Sequence, residues 1–122
     1  MAVASTPLLT ARERELVILA TCGVARAEFC IQSHVKIGME AGLSQGQAEG
    51  AVRGEEEVDG LEEREREVYG LGLVIARGVG KVEDGVFERG VEVLGRDRVS
   101  AVAQVVGLYY LAGVLVNVAD VK

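Results

Sequence analysis

One stretch of this 122-residue chain, residues 100–119, is apolar on almost every side if it is coiled as a helix. Val102 and Val106 belong to one face of such a helix, and Leu108 belongs to another. A small domain leaves much of its surface exposed and cannot easily bury both faces. The segment is as long as a membrane span, but it contains Gln104 and Asn117 and no short basic loop follows it. We therefore expect a helix buried in a homo-oligomer, with no membrane partner.

Size and composition restrict the remaining possibilities. A chain of 122 residues, 49% of them hydrophobic, predicts one domain over residues 1–122. The net charge is −6, and the basic residues are scattered among acidic ones, so nucleic acid is not an expected partner. Two cysteines and no secretory leader predict a cytoplasmic protein with reduced thiols and no disulfide.

Sequence signals for helix starts and helix ends occur along the whole chain. Capping-box sequences begin at Thr10 and at Ser44, where a hydroxyl and a later Glu or Gln can satisfy free amides at a helix start. Together with glycine stops and apolar residues at helical spacing, they predict an all-α bundle of about six helices. The predicted helices cover residues 10–23, 25–41, 44–52, 61–79, 86–95 and 96–121. Residues 91–93 alone could form a strand, but the spacing around them favours a helix.

Three smaller observations accompany this assignment. Many of the sixteen glycines lie inside helical patterns, where each lowers helix stability by about 1 kcal/mol relative to alanine. We expect close contacts between helices to compensate for this loss. Arg12 and Arg14 fall on the solvent side of the first helix. No internal repeat appears at a period of 20–50 residues, which excludes solenoid architectures.

The candidate chemistry lies on the second helix. His34 is the only histidine and follows Cys30 by four residues, so the two side chains share one helix face. Free thiols and imidazoles have ordinary pKa values of about 8.5 and 6.5, and such a pair exchanges protons near neutral pH. Each residue also has a purely structural interpretation, as a packed thiol or a satisfied core imidazole. Cys22 is a packed thiol, or one that resolves a sulfenic acid at Cys30.

Several segments, in their order along the chain, resemble the carboxymuconolactone decarboxylase and alkylhydroperoxidase-D family. The similarity covers nearly the whole chain. It is carried by the segment LTAREREL at residues 9–16, His34, the segment AGLS at residues 41–44, the helix start LEERE at residues 61–65, residues 87–95 and residues 109–117. The resemblance implies an all-α bundle that assembles as a trimer or hexamer, with the active site near the second helix and close to a subunit boundary.

The resemblance also assigns roles to individual residues. In the hydroperoxidase branch a Cys-x-x-Cys-x-x-x-His segment performs disulfide chemistry, and a glutamate on the preceding helix relays protons. The second cysteine matches Cys30, the histidine matches His34 and the glutamate matches Glu15, but the first cysteine position is Ala27. Alanine cannot close a disulfide, so this chain departs from the two-thiol cycle. It departs from the decarboxylase branch as well, where the position of Cys30 is more usually a carboxylate or another polar group.

Three functions therefore stay open. The first is a cofactor-independent lyase or isomerase that acts on a small organic acid or lactone, with His34 and Glu15 transferring a proton. The second is a thiol-dependent peroxidase or oxidoreductase that uses Cys30. The third is a non-catalytic oligomer that binds a metabolite. Neither a metal site nor a cofactor is expected, because the ligand spacings and phosphate-binding fingerprints of such sites are missing.

Overall fold

A computed structural model describes residues 8–119, and these residues form six α-helices with no strand among them. The helices are α1 (Ala11–Ala25), α2 (Glu28–Glu40), α3 (Gln45–Arg53), α4 (Glu63–Gly78), α5 (Asp84–Leu94) and α6 (Arg96–Val118). The predicted all-α class is confirmed, and residues 91–93 lie in α5. The final two positions of the predicted sixth helix, residues 120–121, lie outside the described residues.

The first helix is the centre of the bundle. Its start is fixed by the predicted capping box, in which the Glu13 amide donates to the Thr10 hydroxyl at 3.0 Å and the Thr10 amide donates to the Glu13 carboxylate at 2.8 Å. From residue 15 to residue 22 every side chain of α1 is buried. The helix packs against α2, α3, α4 and α6, so it has no solvent-facing stripe over these two turns. Whatever polar group lies there is held inside the protein.

Two reciprocal ion pairs join the starts of α1 and α4. Arg64 Nε lies 2.6 Å from Glu13 Oε2, and Arg12 Nε lies 2.6 Å from Glu65 Oε2. Arg12 also donates to the Gly42 carbonyl at 2.6 Å. Arg12 was predicted on the solvent side, and its side chain is 30% exposed, but its guanidinium also contacts a carboxylate and a carbonyl on neighbouring segments. A helical pattern places a side chain on a face but does not reveal what packs there.

The ion pairs follow from a repeat in the sequence. Residues 9–16 and 61–68 share the pattern Leu-x-x-Arg-Glu-Arg-Glu followed by an aliphatic residue, each position lying 52 residues after its counterpart. The arginine of each copy pairs with the glutamate of the other, as a pseudo-twofold arrangement requires. The period exceeds the 20–50 residues for which repeats were excluded. Helices α1 and α4 are thus counterparts.

The packing of the next helix in each half agrees with this relation. Gly38 on α2 approaches Leu19 on α1, and Gly90 on α5 approaches Leu71 on α4. Leu71 lies 52 residues after Leu19, and Gly90 lies 52 residues after Gly38. The pair α4–α5 therefore repeats the pair α1–α2. The two halves differ in their third helix, since α3 has 9 residues and α6 has 23.

At some glycines, as expected, a close contact between helices offsets the lower helix propensity of glycine. A Cβ atom on Gly23 would overlap the backbone carbonyl of Val52, and one on Gly72 would lie 3.0 Å from the Val17 side chain. Other glycines have no such neighbour. A Cβ atom on Gly70 would meet no atom of another described segment within 4 Å. Close approach therefore explains the glycine at some positions and not at others.

This difference predicts opposite effects of one substitution on stability. Gly23→Ala is expected to destabilise the fold by about 1–3 kcal/mol, because α1 and the end of α3 would have to separate. The matched change Gly70→Ala, also inside a helix, is expected to stabilise by about 0.5–1 kcal/mol through the lower entropy of the unfolded chain. Urea unfolding of both variants measures this. Equal shifts in the same direction would contradict the packing at Gly23.

Candidate functional site

A carboxylate and an imidazole meet between α1 and α2. Glu15 lies in the buried part of α1, and His34 lies in the middle of α2. His34 Nδ1 is 2.9 Å from Glu15 Oε1, and the two side chains are 16% and 3% exposed. The structure thus brings together two of the three predicted site residues. The pairing needs no unusual backbone, because both residues lie inside regular helices.

The bond between them matches one tautomer of the imidazole. In the tautomer with the proton on Nδ1, the ring donates to Glu15, because an ionised carboxylate can only accept hydrogen bonds. That tautomer has a lone pair on Nε2, which is the arrangement that a general base requires. Arg14 Nε lies 3.9 Å from the other carboxylate oxygen and adds a positive charge near it. The buried Glu15 is therefore held by an imidazole and a nearby guanidinium.

The two thiols lie close to this pair. Cys30 is one turn before His34 on α2 and is 9% exposed, while Cys22 near the end of α1 is fully buried. Both are free thiols and belong to the same hydrophobic cluster. Burial, together with the neighbouring Cys30, raises the pKa of Cys22 to about 12. Cys22 is therefore a neutral thiol at physiological pH.

Tyr109 is a member of the site that sequence reasoning missed. The centroids of the Tyr109 and His34 rings are 5.2 Å apart and their planes meet at 82°, an edge-to-face contact. From the sequence, Tyr109 is no more than one residue on a face of the sixth helix. No spacing rule connects α6 to α2, so the amino-acid pattern carried no signal for this contact. Helices α1 and α6 thus each place one side chain, Glu15 and Tyr109, against the imidazole on α2.

The second half of the chain has no equivalent acid–base pair. Glu67 is the counterpart of Glu15, but its carboxylate pairs with Arg89 on α5 at 3.1 and 3.2 Å. The counterpart of His34 is Val86, and the counterpart of Cys22 is Val74. Arg89 is largely exposed, so this pair is a surface ion pair. The acid–base pair and the two thiols therefore lie in the first half of the chain.

These residues do not form a metal site. Across residues 8–119 no three side chains of His, Cys, Asp or Glu are grouped closely enough to hold an ion. The site therefore offers a hydrogen-bonded carboxylate and imidazole, two thiols and a phenol. Such a set can move protons, and its sulfur atoms can be oxidised.

Comparison with known proteins gives one family. A model of the carboxymuconolactone decarboxylase family matches residues 1–61, half of the chain. The matched segment contains Glu15, Cys22, Cys30 and His34. No curated protein and no solved structure shows a significant match.

Proposed function

Because the chain belongs to the carboxymuconolactone decarboxylase family, we propose that it is a cofactor-independent lyase or isomerase for a small organic acid or lactone. Membership itself suggests an activity within the decarboxylase and peroxidase-like superfamily. The finer assignment is supported by one observation, the 2.9 Å bond between His34 Nδ1 and the buried carboxylate of Glu15. A histidine held in this way is equipped to transfer a proton.

In the proposed reaction His34 Nε2 removes or delivers a proton at a carbon next to a carbonyl group. The imidazole becomes positively charged when it takes the proton, and the adjacent Glu15 carboxylate stabilises that charge. Because both groups are largely shielded from water, their mutual attraction is stronger than it would be in solvent. In isomerisation the ring exchanges this proton with water and delivers a proton to another carbon of the product. In decarboxylation the bond to the carboxylate breaks, carbon dioxide leaves, and the protonated ring delivers its proton to the resulting carbanion and regains one from water.

The test is a substrate panel of small lactones and keto acids that includes a carboxymuconolactone. We expect wild-type protein to convert at least one compound. Mass spectrometry distinguishes decarboxylation, with loss of carbon dioxide, from isomerisation, in which the mass is unchanged. Turnover that is equally fast in the His34→Ala variant would remove the imidazole from the reaction.

We further propose that the protein is a homo-oligomer through the outer face of α6. Leu111, Leu115 and Val118 are 56%, 59% and 81% exposed, although one face of the first half of the same helix is buried in the core. A groove of about 420 Å³ beside them is lined largely by apolar side chains. By length and composition α6 could also cross a membrane. To cross a membrane, α6 would have to withdraw Val102 and Val105 from the protein core, where both are buried. A second copy of the chain is therefore the better partner for the exposed apolar face.

This proposal predicts a change of mass in solution. The double variant Leu111→Glu and Leu115→Glu is expected to dissociate, because charges cannot be buried between apolar faces without a large cost. Sedimentation should give a trimer or hexamer for wild type and a single chain for the variant. As a control, Gln45→Glu adds a negative charge at an exposed position of α3, outside the proposed interface, and should leave the assembly intact. Monomeric wild-type protein without detergent would contradict the proposal.

A second candidate function is a thiol-dependent oxidoreductase that uses Cys30. The observation that favours it is the position of Cys22, which supplies a neighbouring thiol where Ala27 cannot. Cys30, the more exposed of the two thiols, is the sulfur that would react first with hydrogen peroxide, giving a sulfenic acid and water, and the Cys22 sulfur would then displace water from it to form a disulfide. His34, one turn away, would serve as the proton acceptor.

Peroxide treatment separates this candidate from the first. If Cys30 is redox-active, brief exposure to hydrogen peroxide should yield a sulfenate adduct at Cys30 in the Cys22→Ser variant and an internal disulfide in wild type. The matched Cys30→Ser variant should give neither product. Unmodified thiols in all three proteins after mild oxidation would exclude the redox function and leave the proton-transfer proposal untouched.

A further inference from the structure

The contact between Tyr109 and His34 gives the imidazole a second support. His34 is fixed by Glu15 through one ring atom, and the final torsion of a histidine side chain has a broad energy minimum. A ring held at a single atom can therefore tilt. The Tyr109 ring meets it at 82° with 5.2 Å between centroids, a preferred aromatic geometry. The two contacts come from different helices, so together they restrict the ring in two directions.

Helix α6 is held firmly at this place. One turn after Tyr109, a Cβ atom on Gly113 would lie 3.1 Å from the Ala25 side chain and 3.3 Å from that of Ala27. The next turn carries Asn117, whose side chain donates to the Ala25 carbonyl at 2.7 Å. The second half of α6 is thus anchored at the junction of α1 and α2. This part of the helix has no counterpart in the shorter α3, so only the first half of the chain receives such a residue.

The tyrosine is uncharged next to the acid–base pair. Burial raises its pKa, and the nearby Glu15, Cys22 and Cys30 act in the same direction. A neutral phenol places no negative charge beside the Glu15 carboxylate. Tyr109 is therefore suited to hold the imidazole by packing and leaves the proton transfer to His34 and Glu15.

We propose that Tyr109 is a positioning residue that fixes the orientation of the His34 imidazole for proton transfer. The role rests on the proposed function of His34, but the ring orientation can be measured without a substrate. Tyr109→Phe keeps the aromatic ring, and Tyr109→Leu removes it. Phe87 on α5 is exposed and takes no part in this site or in the proposed interface, so Phe87→Leu is a matched control for the loss of a ring.

The experiment uses the single histidine as its own probe. Nitrogen-15 NMR of the ring reports the tautomer, and the rate of modification by diethyl pyrocarbonate reports access to the imidazole nitrogen. In Tyr109→Leu we expect a mixed tautomer population and a severalfold faster modification. Tyr109→Phe and Phe87→Leu should match wild type in both measurements. Thermal melts of all variants identify any loss of fold.

Two results would overturn the proposal. The first is a Tyr109→Leu protein that is folded and has the wild-type tautomer and modification rate, because the ring would then need no support from α6. The second is an equal change in Tyr109→Phe, because the hydroxyl group and not ring packing would then be responsible. If Tyr109→Leu does not fold, Tyr109→Val provides a smaller aliphatic replacement with the same expected changes. Neither result depends on whether a substrate is found, so failure here is distinct from failure of the proposed function.

Discussion

Replacing His34 with alanine is expected to lower kcat/KM by about 10² to 10⁴-fold for any compound that the protein converts, the usual contribution of a placed general acid or base. The variant loses the only imidazole in the chain, and no other residue among residues 8–119 is bonded to Glu15 in the same way. Some stability should be lost as well, because the buried Glu15 carboxylate loses its hydrogen-bonded partner, so the comparison requires that the variant is still folded. Steady-state kinetics together with a thermal melt measure both effects.

Two further variants make this result specific. Glu15→Gln retains an oxygen that can accept from Nδ1 but removes the negative charge, so a smaller loss of rate is expected. Gln32→Ala changes an exposed residue on the same helix, bonded only to Glu28 among the contacts described for residues 8–119, and should retain full activity. Wild-type rates in His34→Ala would show that the histidine is a structural residue.

Arg64→Ala is expected to have the largest effect on stability among the ion pairs, with a loss of about 3 kcal/mol at neutral pH. The substitution removes both guanidinium bonds, at 2.6 and 2.8 Å, from the buried carboxylate of Glu13. Removing one partner of a buried pair leaves an uncompensated charge, and the partial exposure of Arg64 places the cost at the lower end of the known range. Urea unfolding at pH 7 gives the difference directly.

The pH dependence of this variant provides an internal check. Burial raises the pKa of Glu13, but Arg64 and the hydrogen bonds from Thr10 outweigh it and hold the pKa below the ordinary 4.5. A carboxyl group with a depressed folded-state pKa contributes stability above 4.5, and that contribution is lost as the pH falls through the folded value. The gap between wild type and Arg64→Ala should therefore be widest near neutral pH and narrow below pH 4.5.

An exposed pair serves as the control for this prediction. Arg53 and Glu55 lie 2.9 Å apart with side chains 58% and 45% exposed. Arg53→Ala is expected to cost less than about 1 kcal/mol, because water replaces the lost partner. A similar loss in both arginine variants would mean that the burial of Glu13 has no energetic consequence.

The order and number of the helices could be read from the sequence because their starts carry local signals. Thr10 and Ser44 each form the capping box that their sequence predicts. The ends were less predictable. Gly23 was taken as the end of the first helix, but α1 continues to Ala25 because this glycine serves the close approach of Val52. Helix α1 ends at Arg26, whose φ of 52° is a left-handed conformation. This conformation is uncommon for residues other than glycine, so an arginine in the sequence does not predict it.

The candidate site was predictable in part. His34 was selected as the only histidine, one turn after Cys30, whereas Glu15 was selected by the family resemblance, because in the sequence it lies between Arg14 on the predicted solvent side and the apolar Leu16. Tyr109 could not be found, because its role depends on how α6 crosses α2. The reciprocal ion pairs were missed for a related reason. The repeated pattern at residues 9–16 and 61–68 predicts these pairs only if α1 and α4 are known to lie side by side.

The central claim, that His34 held by Glu15 transfers a proton, is tested most directly by running an accepted substrate in heavy water. Deuterium should enter the reacting carbon of the product at the rate of turnover in wild type and should be absent above background in His34→Ala. Mass spectrometry of the product gives both values from the same samples. Deuterium entering at the wild-type rate in the folded His34→Ala protein would contradict the account.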